Sequence, residues 1–160
     1  MGVKYDSKAD TLTHIKRVNE LLIDSSIEML QRAKKHDTSK LGGIEKELFD
    51  EFTPNLADTT YGSDEYFSHL QGLKPALINH YAENSHHPEF YPNGIEDMDM
   101  FDILEMLLDW KAASEHHKDG DIFKSIKINK ERFNYGDELF RLLYTTAERL
   151  WGPSTLTEGV

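Results

Sequence analysis

The chain has no cysteine at all. Disulfides, thiolate zinc sites and thiol nucleophiles are therefore excluded together, and any tightly held metal must be bound by imidazole and carboxylate. Long apolar runs are missing too. No stretch approaches the roughly 20 residues needed to cross a bilayer, and the opening MGVKYDSKADTL lacks the apolar centre of a secretion signal. A cytoplasmic location without membrane association is the expectation. Basic residues are in deficit, with 18 Lys and Arg against 29 Asp and Glu and a formal net charge of -11. Affinity for phosphate backbones comes from clustered cations, so nucleic acid is not an expected partner. The acidic excess is compatible with bound divalent cations, although an acidic run is more commonly a solvated face.

Sustained alternation of β-branched residues is also absent. Apolar residues instead recur at helical spacing, as in Leu12, Ile15, Val18 and Leu22 and again in Phe101, Leu104 and Leu108. The pattern predicts an all-α fold. A length of 160 residues suits one ordinary domain, expected over 1–151 with a frayed tail over 152–160. Helices are predicted at about 10–24, 26–36, 44–52, 64–72, 75–84, 99–117, 121–131 and 137–151, with Gly42-Gly43, Pro54, Pro75, Pro88 and Gly136 among the breaks. Asp24-Ser25-Ser26 is a polar, cap-capable cluster and predicts a turn between the first two helices. Asp99 has the makings of an N-cap, with Asp102 in the first turn and Met98 able to pack on Ile103.

Chemistry-bearing residues fall at four places in order: His14; His36-Asp37 within KKHDTSKLGG; His80, His86 and His87 within NHYAENSHHPE; and Asp109 within EMLLDWKAAS. A lone His such as His14 is ordinarily a surface or core-edge residue, and the His86-His87 pair before Pro88 also reads as a loop doublet. Asp109 is different. It sits between Leu107-Leu108 and Trp110, where a carboxylate is costly to bury unless it is paired or holds a cation. Glu105, one turn earlier on the same face, would repel it unless a metal or Lys111 lay nearby. Asp119-Gly120-Asp121 lacks the remaining oxygen ligands of a calcium loop and reads as a turn, and His116-His117 reads as a helix-end cap.

The order His, His-Asp, His, His-His, Asp resembles the HD superfamily of metal-dependent phosphohydrolases. HDTSK, HHPE and EMLLDWKA are similar to the hallmark strings of a group of short phage and bacterial HD-type proteins. The resemblance runs from His14 to Ala113 and implies a single-domain HD-type helical bundle. It implies His14, His36, Asp37 and Asp109 around one ion, with Asp37 able to bridge, and His80, His86 and His87 around a second; His69 is an alternative to His80. One or two divalent transition-metal ions are implied, Mn, Fe, Co, Ni or Zn, with Mg possible. Asp37 and Lys40 become the catalytic residues, Lys40 touching substrate phosphate. The implied activity is hydrolysis of a phosphate ester of a small substrate, a nucleotide or deoxynucleotide. The Gly-Tyr-Pro string of the cyclic-di-GMP-degrading branch is missing, and Lys40 stands where the deoxynucleoside-monophosphatase branch has Glu. Two other readings remain open: an HD-type di-iron oxygenase, and a non-catalytic acidic helical binding or inhibitor protein.

Overall fold

A computed structural model describes residues 5–58, 64–115 and 120–153 of the chain. Its regular elements are helical, as the 3.6-residue periodicity requires. They are α1 (Lys8–Lys35), α2 (Gly43–Asp58), α3 (Asp64–Glu83), α4 (Met100–Glu115), α5 (Ile122–Phe133) and α6 (Asp137–Trp151), with short 3-10 turns at Thr38–Leu41, Pro88–Phe90 and Gly94–Asp97. Among the described residues there is no strand, and no helix is long and apolar enough to cross a membrane. The predicted cap at His116-His117 and the end of the predicted tail lie outside the described residues.

Contacts divide the chain into two compact units, residues 1–36 and residues 37–160. The first unit is essentially α1, and here two predicted helices are one. The turn expected at Asp24-Ser25-Ser26 does not form. Instead the Ser25 and Ser26 hydroxyls donate to the carbonyls of Leu21 and Leu22, at 2.9 and 2.8 Å. A serine that bonds back one turn serves the helix interior rather than a cap, so the polar cluster is carried through without a break. His36 closes this unit, its amide bonded to the Arg32 carbonyl at 2.8 Å.

In the second unit α2 packs along α3. The break expected between 72 and 75 is also absent: Pro75 lies inside α3, as Pro54 lies inside α2. An interior proline costs about 3 kcal/mol. Leu73 and Ala76, buried on either side of Pro75, supply packing that offsets that cost. Gly72 has its own reason. A Cβ there would stand 2.4 Å from Cζ of Phe52, so only glycine lets that ring lie against the α3 backbone. Gly72→Ala is therefore expected to destabilise the fold by up to about 2 kcal/mol, overpacking outweighing the gain in helix propensity. In a Phe52→Ala background the same change should become stabilising. Urea denaturation of the four proteins checks this reversal of sign.

α4, α5 and α6 enclose the main core, which includes Met106, Leu107, Ile126, Leu143 and Ala147. The entry to α4 is as predicted. Asp99 Oδ1 accepts from the amides of Phe101 and Asp102 at 2.8 and 2.9 Å, and Asp102 Oδ2 accepts from the Asp99 amide at 3.2 Å, a reciprocal capping box. Met98 and Ile103 both pack on the core. Asp121 caps α5 by accepting from the Phe123 and Lys124 amides; Asp119 lies outside the described residues. Between α3 and α4 runs a segment of short turns that carries His86 and His87.

Candidate metal centre

Asp37 opens the second unit in the left-handed conformation, φ 55° and ψ 13°. Asp tolerates that region better than most residues, and the conformation stops α1. Thr38–Leu41 then turns the chain into α2, with the Lys40 amide bonded to the Asp37 carbonyl at 3.0 Å. This leaves the Asp37 carboxylate facing α3 and the segment after it. There His80, in the last turn of α3, and the His86-His87 pair complete a cluster. One ligand atom each from Asp37, His80, His86 and His87 lies within 4.8 Å of the others.

The finer distances are those of a ligand set. Nε2 of His80 is 2.9 Å from Nε2 of His87, and Asp37 Oδ1 is 3.4 Å from Nε2 of His80 and 3.5 Å from Nε2 of His86. Ligands bonded at about 2.0–2.2 Å to one ion stand roughly 3.0 Å apart along an octahedral edge and roughly 3.4 Å apart along a tetrahedral one. Two imidazole nitrogens at 2.9 Å either share a proton or both turn their lone pairs on a cation. Burial, reinforced by His86 and His80, pushes the His87 imidazole down to about 3. It is therefore neutral through the physiological range and has a lone pair to offer.

Carboxylates behind the rings set their orientation. Glu45, only 1% exposed, places Oε2 3.0 Å from Nδ1 of His80. The same carboxylate accepts from Ser39 Oγ at 3.0 Å and from Asn79 Nδ2 at 2.8 Å. Asn84 Nδ2 donates to Ser39 Oγ and to the His80 carbonyl. With both of its N–H groups so used, Asn84 leaves Glu45 as the acceptor for Nδ1–H of His80. That fixes the tautomer and turns the bare Nε2 toward Asp37. His86 repeats the arrangement, with Nδ1 3.3 Å from Oε1 of Glu105 and Nε2 toward Asp37. Nitrogen and oxygen donors without sulfur, with two of the three rings backed by a carboxylate, make a cluster that could hold a metal ion.

The predicted residues are redistributed. Asp37 joins His80, His86 and His87 in one cluster, where the bridging role expected of it would put it. His80 takes the place held open between it and His69: the His69 ring sits against Phe52 at a centroid distance of 6.0 Å, eleven residues back along α3. Asp109, on α4, has a carboxylate oxygen within 4.8 Å of one from Asp37. His14 must be corrected. It lies 22 residues before His36 on the unbroken α1, about 33 Å along the axis, and so does not share an ion with His36. Lys40 Nζ donates to Asp37 Oδ2 at 2.6 Å. Lys111, one of the two cations weighed against the repulsion of Glu105 and Asp109, pairs with Glu115 at 2.6 Å.

Glu45 carries no signal in the sequence beyond being one of several acids in GIEKELFDE. Glu105 reads in the sequence only as a neighbour of Asp109, although its spacing to Asp102 and Asp109 offers a clue. Positions 102, 105 and 109 share one face of α4, three carboxylates among the otherwise apolar residues of its first three turns.

The chain belongs to a family of unknown function, DUF5662, whose model matches residues 3–150. No curated protein and no solved structure matches it.

Proposed function

We propose that the chain is a divalent-metal-dependent phosphohydrolase acting on a small phosphate ester, a nucleotide or deoxynucleotide, through a centre built from Asp37, His80, His86 and His87. The observation that carries the reading is the pair of carboxylate-backed imidazoles, Glu45–His80 and Glu105–His86, which aim their Nε2 atoms at the same carboxylate oxygen. A purely structural cluster has no need of two rings locked in the ligand tautomer. The strings HDTSK, HHPE and EMLLDWKA support the same chemistry by resemblance. An ion bound there supplies a Lewis acid that acidifies water and neutralises phosphoryl charge.

The chain's own residues do the rest. Asp37 offers Oδ1 to the centre and Oδ2 to Lys40, so the lysine is held beside the place where a phosphate would lie. Its ammonium is a compact point charge with N–H groups beyond the one given to Asp37, and its side chain is 37% exposed. Lys40 thus receives a phosphoryl oxygen and stabilises charge in the transition state. Lys40→Ala should keep the bound metal and the fold while kcat/KM falls on the order of 10²-fold. Metal content and steady-state kinetics on the same sample check this.

The direct test is a panel of nucleoside mono-, di- and triphosphates and cyclic nucleotides, each assayed with Mn, Co, Ni and Mg by phosphate release and chromatography. Metal-dependent hydrolysis of at least one member is expected. A protein that binds metal stoichiometrically and hydrolyses none of them would refute the proposal.

A further inference from the structure

The segment that carries His86 and His87 is shaped by its own short turns, such as the amide of His87 on the Asn84 carbonyl and that of Phe90 on the His87 carbonyl, and on its more exposed side Glu89 accepts from Arg132 of α5 at 2.8 Å. Turns of this kind shape a loop without fixing where it sits against its neighbours. On both sides of the histidine pair a buried side chain does fix it. Asp102, in the first turn of α4 and 2% exposed, accepts from Ser85 Oγ at 2.7 Å and from Tyr91 Oη at 2.5 Å. Ser85 immediately precedes the histidine pair, and Tyr91 closes the turn that follows it. A single buried carboxylate therefore grips both ends of the ligand-bearing segment. A further bond, from the Asp99 amide, anchors it to the helix start. Burial and the bond to Asp102 push the Tyr91 phenol up to about 12, so it stays a donor at every physiological pH.

We propose that Asp102 is the positioning residue of the metal centre, setting the place of His86 and His87 by clamping Ser85 and Tyr91 to α4. The inference rests on the metal reading and deepens it. Three residues on, Glu105 meets Nδ1 of His86. The same helix face thus fixes first where the segment lies and then how its ring is turned. Full ionic strength is not what the clamp needs. It needs two acceptor oxygens facing two hydroxyl donors. An amide in place of the carboxylate has one acceptor and meets the other hydroxyl only by donating to its oxygen, which reverses that bond and leaves the hydroxyl proton without its acceptor, so one of the two grips is weakened.

The experiment is titration of the metal-free full chain with Co²⁺, followed by visible absorption, for the wild type and for Asp102→Asn, Ser85→Ala and Tyr91→Phe, with thermal unfolding of each metal-free protein alongside. Outer partners of metal ligands are typically worth about 10- to 100-fold in affinity. Asp102→Asn and the two hydroxyl deletions, each of which weakens or removes one grip, are expected to weaken Co²⁺ binding in that range. Ser85→Ala and Tyr91→Phe each remove one grip at small structural cost and keep the test alive if Asp102→Asn does not fold. A merely structural role would lower the unfolding temperature while the folded variants bound Co²⁺ as the wild type does. Affinities within twofold of wild type in every folded variant would overturn the clamp and leave the metal centre standing. A wild type that bound no Co²⁺ would overturn both.

Discussion

Asp37→Ala is expected to abolish turnover altogether and to leave the protein without a bound ion, even with excess metal in the assay. The reason is the double use of one carboxylate. Oδ1 lies 3.4 and 3.5 Å from the Nε2 atoms of His80 and His86, and Oδ2 holds Lys40 at 2.6 Å. Alanine deletes the sole anionic ligand of the cluster and frees the lysine from its place, so metal affinity and phosphate binding fall together. It also puts a residue poorly suited to positive φ at φ 55°, a strain of order 1 kcal/mol. Asp37→Asn separates the two effects. Asparagine tolerates the left-handed region and keeps an acceptor oxygen, so it should fold as the wild type does and bind metal far more weakly. Metal analysis by mass spectrometry, with activity on the best substrate of the panel, reads both variants. Wild-type activity in Asp37→Ala would end the phosphohydrolase reading.

Glu45→Ala is expected to cost stability as well as metal. The carboxylate is 1% exposed and receives Ser39, Asn79 and Nδ1 of His80. Truncation leaves three donors, the buried His80 and the half-buried Ser39 and Asn79, without their acceptor and opens a cavity between α2 and α3. Penalties of about 1–3 kcal/mol for an unsatisfied buried group, partly relieved by rearrangement, suggest a loss on the order of 3 kcal/mol in metal-free urea denaturation. Glu45→Gln fills the same volume. It should retain most of the stability yet present an N–H group to donors on one side, loosening the tautomer of His80 and weakening metal binding about 10-fold or more. If Glu45→Gln bound Co²⁺ as tightly as the wild type, Glu45 would be a core residue and nothing more.

Much of this arrangement was legible in the residues. Helical periodicity decided the all-α fold, and Asp99 announced the start of α4 because an N-cap is a local device whose partners lie two and three residues on. HDTSK and HHPE marked the two segments that meet. Where the reading failed, the deciding contacts were not local. Ser25 and Ser26 have the composition of a cap, yet a serine hydroxyl bonds equally well to the carbonyl one turn back, and sequence alone does not choose between them. Pro75 looks like a stop until Leu73 and Ala76 are seen buried beside it. Glu45 and Asp102 are ordinary acids in the sequence. Their importance comes from donors that lie 35 and 34 positions away for Glu45, and 17 and 11 for Asp102. His14 was drawn in by the order of the motifs, and the continuity of α1 removes it.

The account turns on whether one ion sits among Asp37, His80, His86 and His87. X-ray absorption at the metal edge of the full chain, loaded with one equivalent of Co²⁺ or Zn²⁺, reads the ligands directly. The predicted result is an inner shell of nitrogen and oxygen at about 2.0–2.2 Å, with the multiple-scattering signature of three imidazoles that drops to two in His87→Ala. A shell of oxygen alone, or the same imidazole signal in His87→Ala as in the wild type, would contradict it.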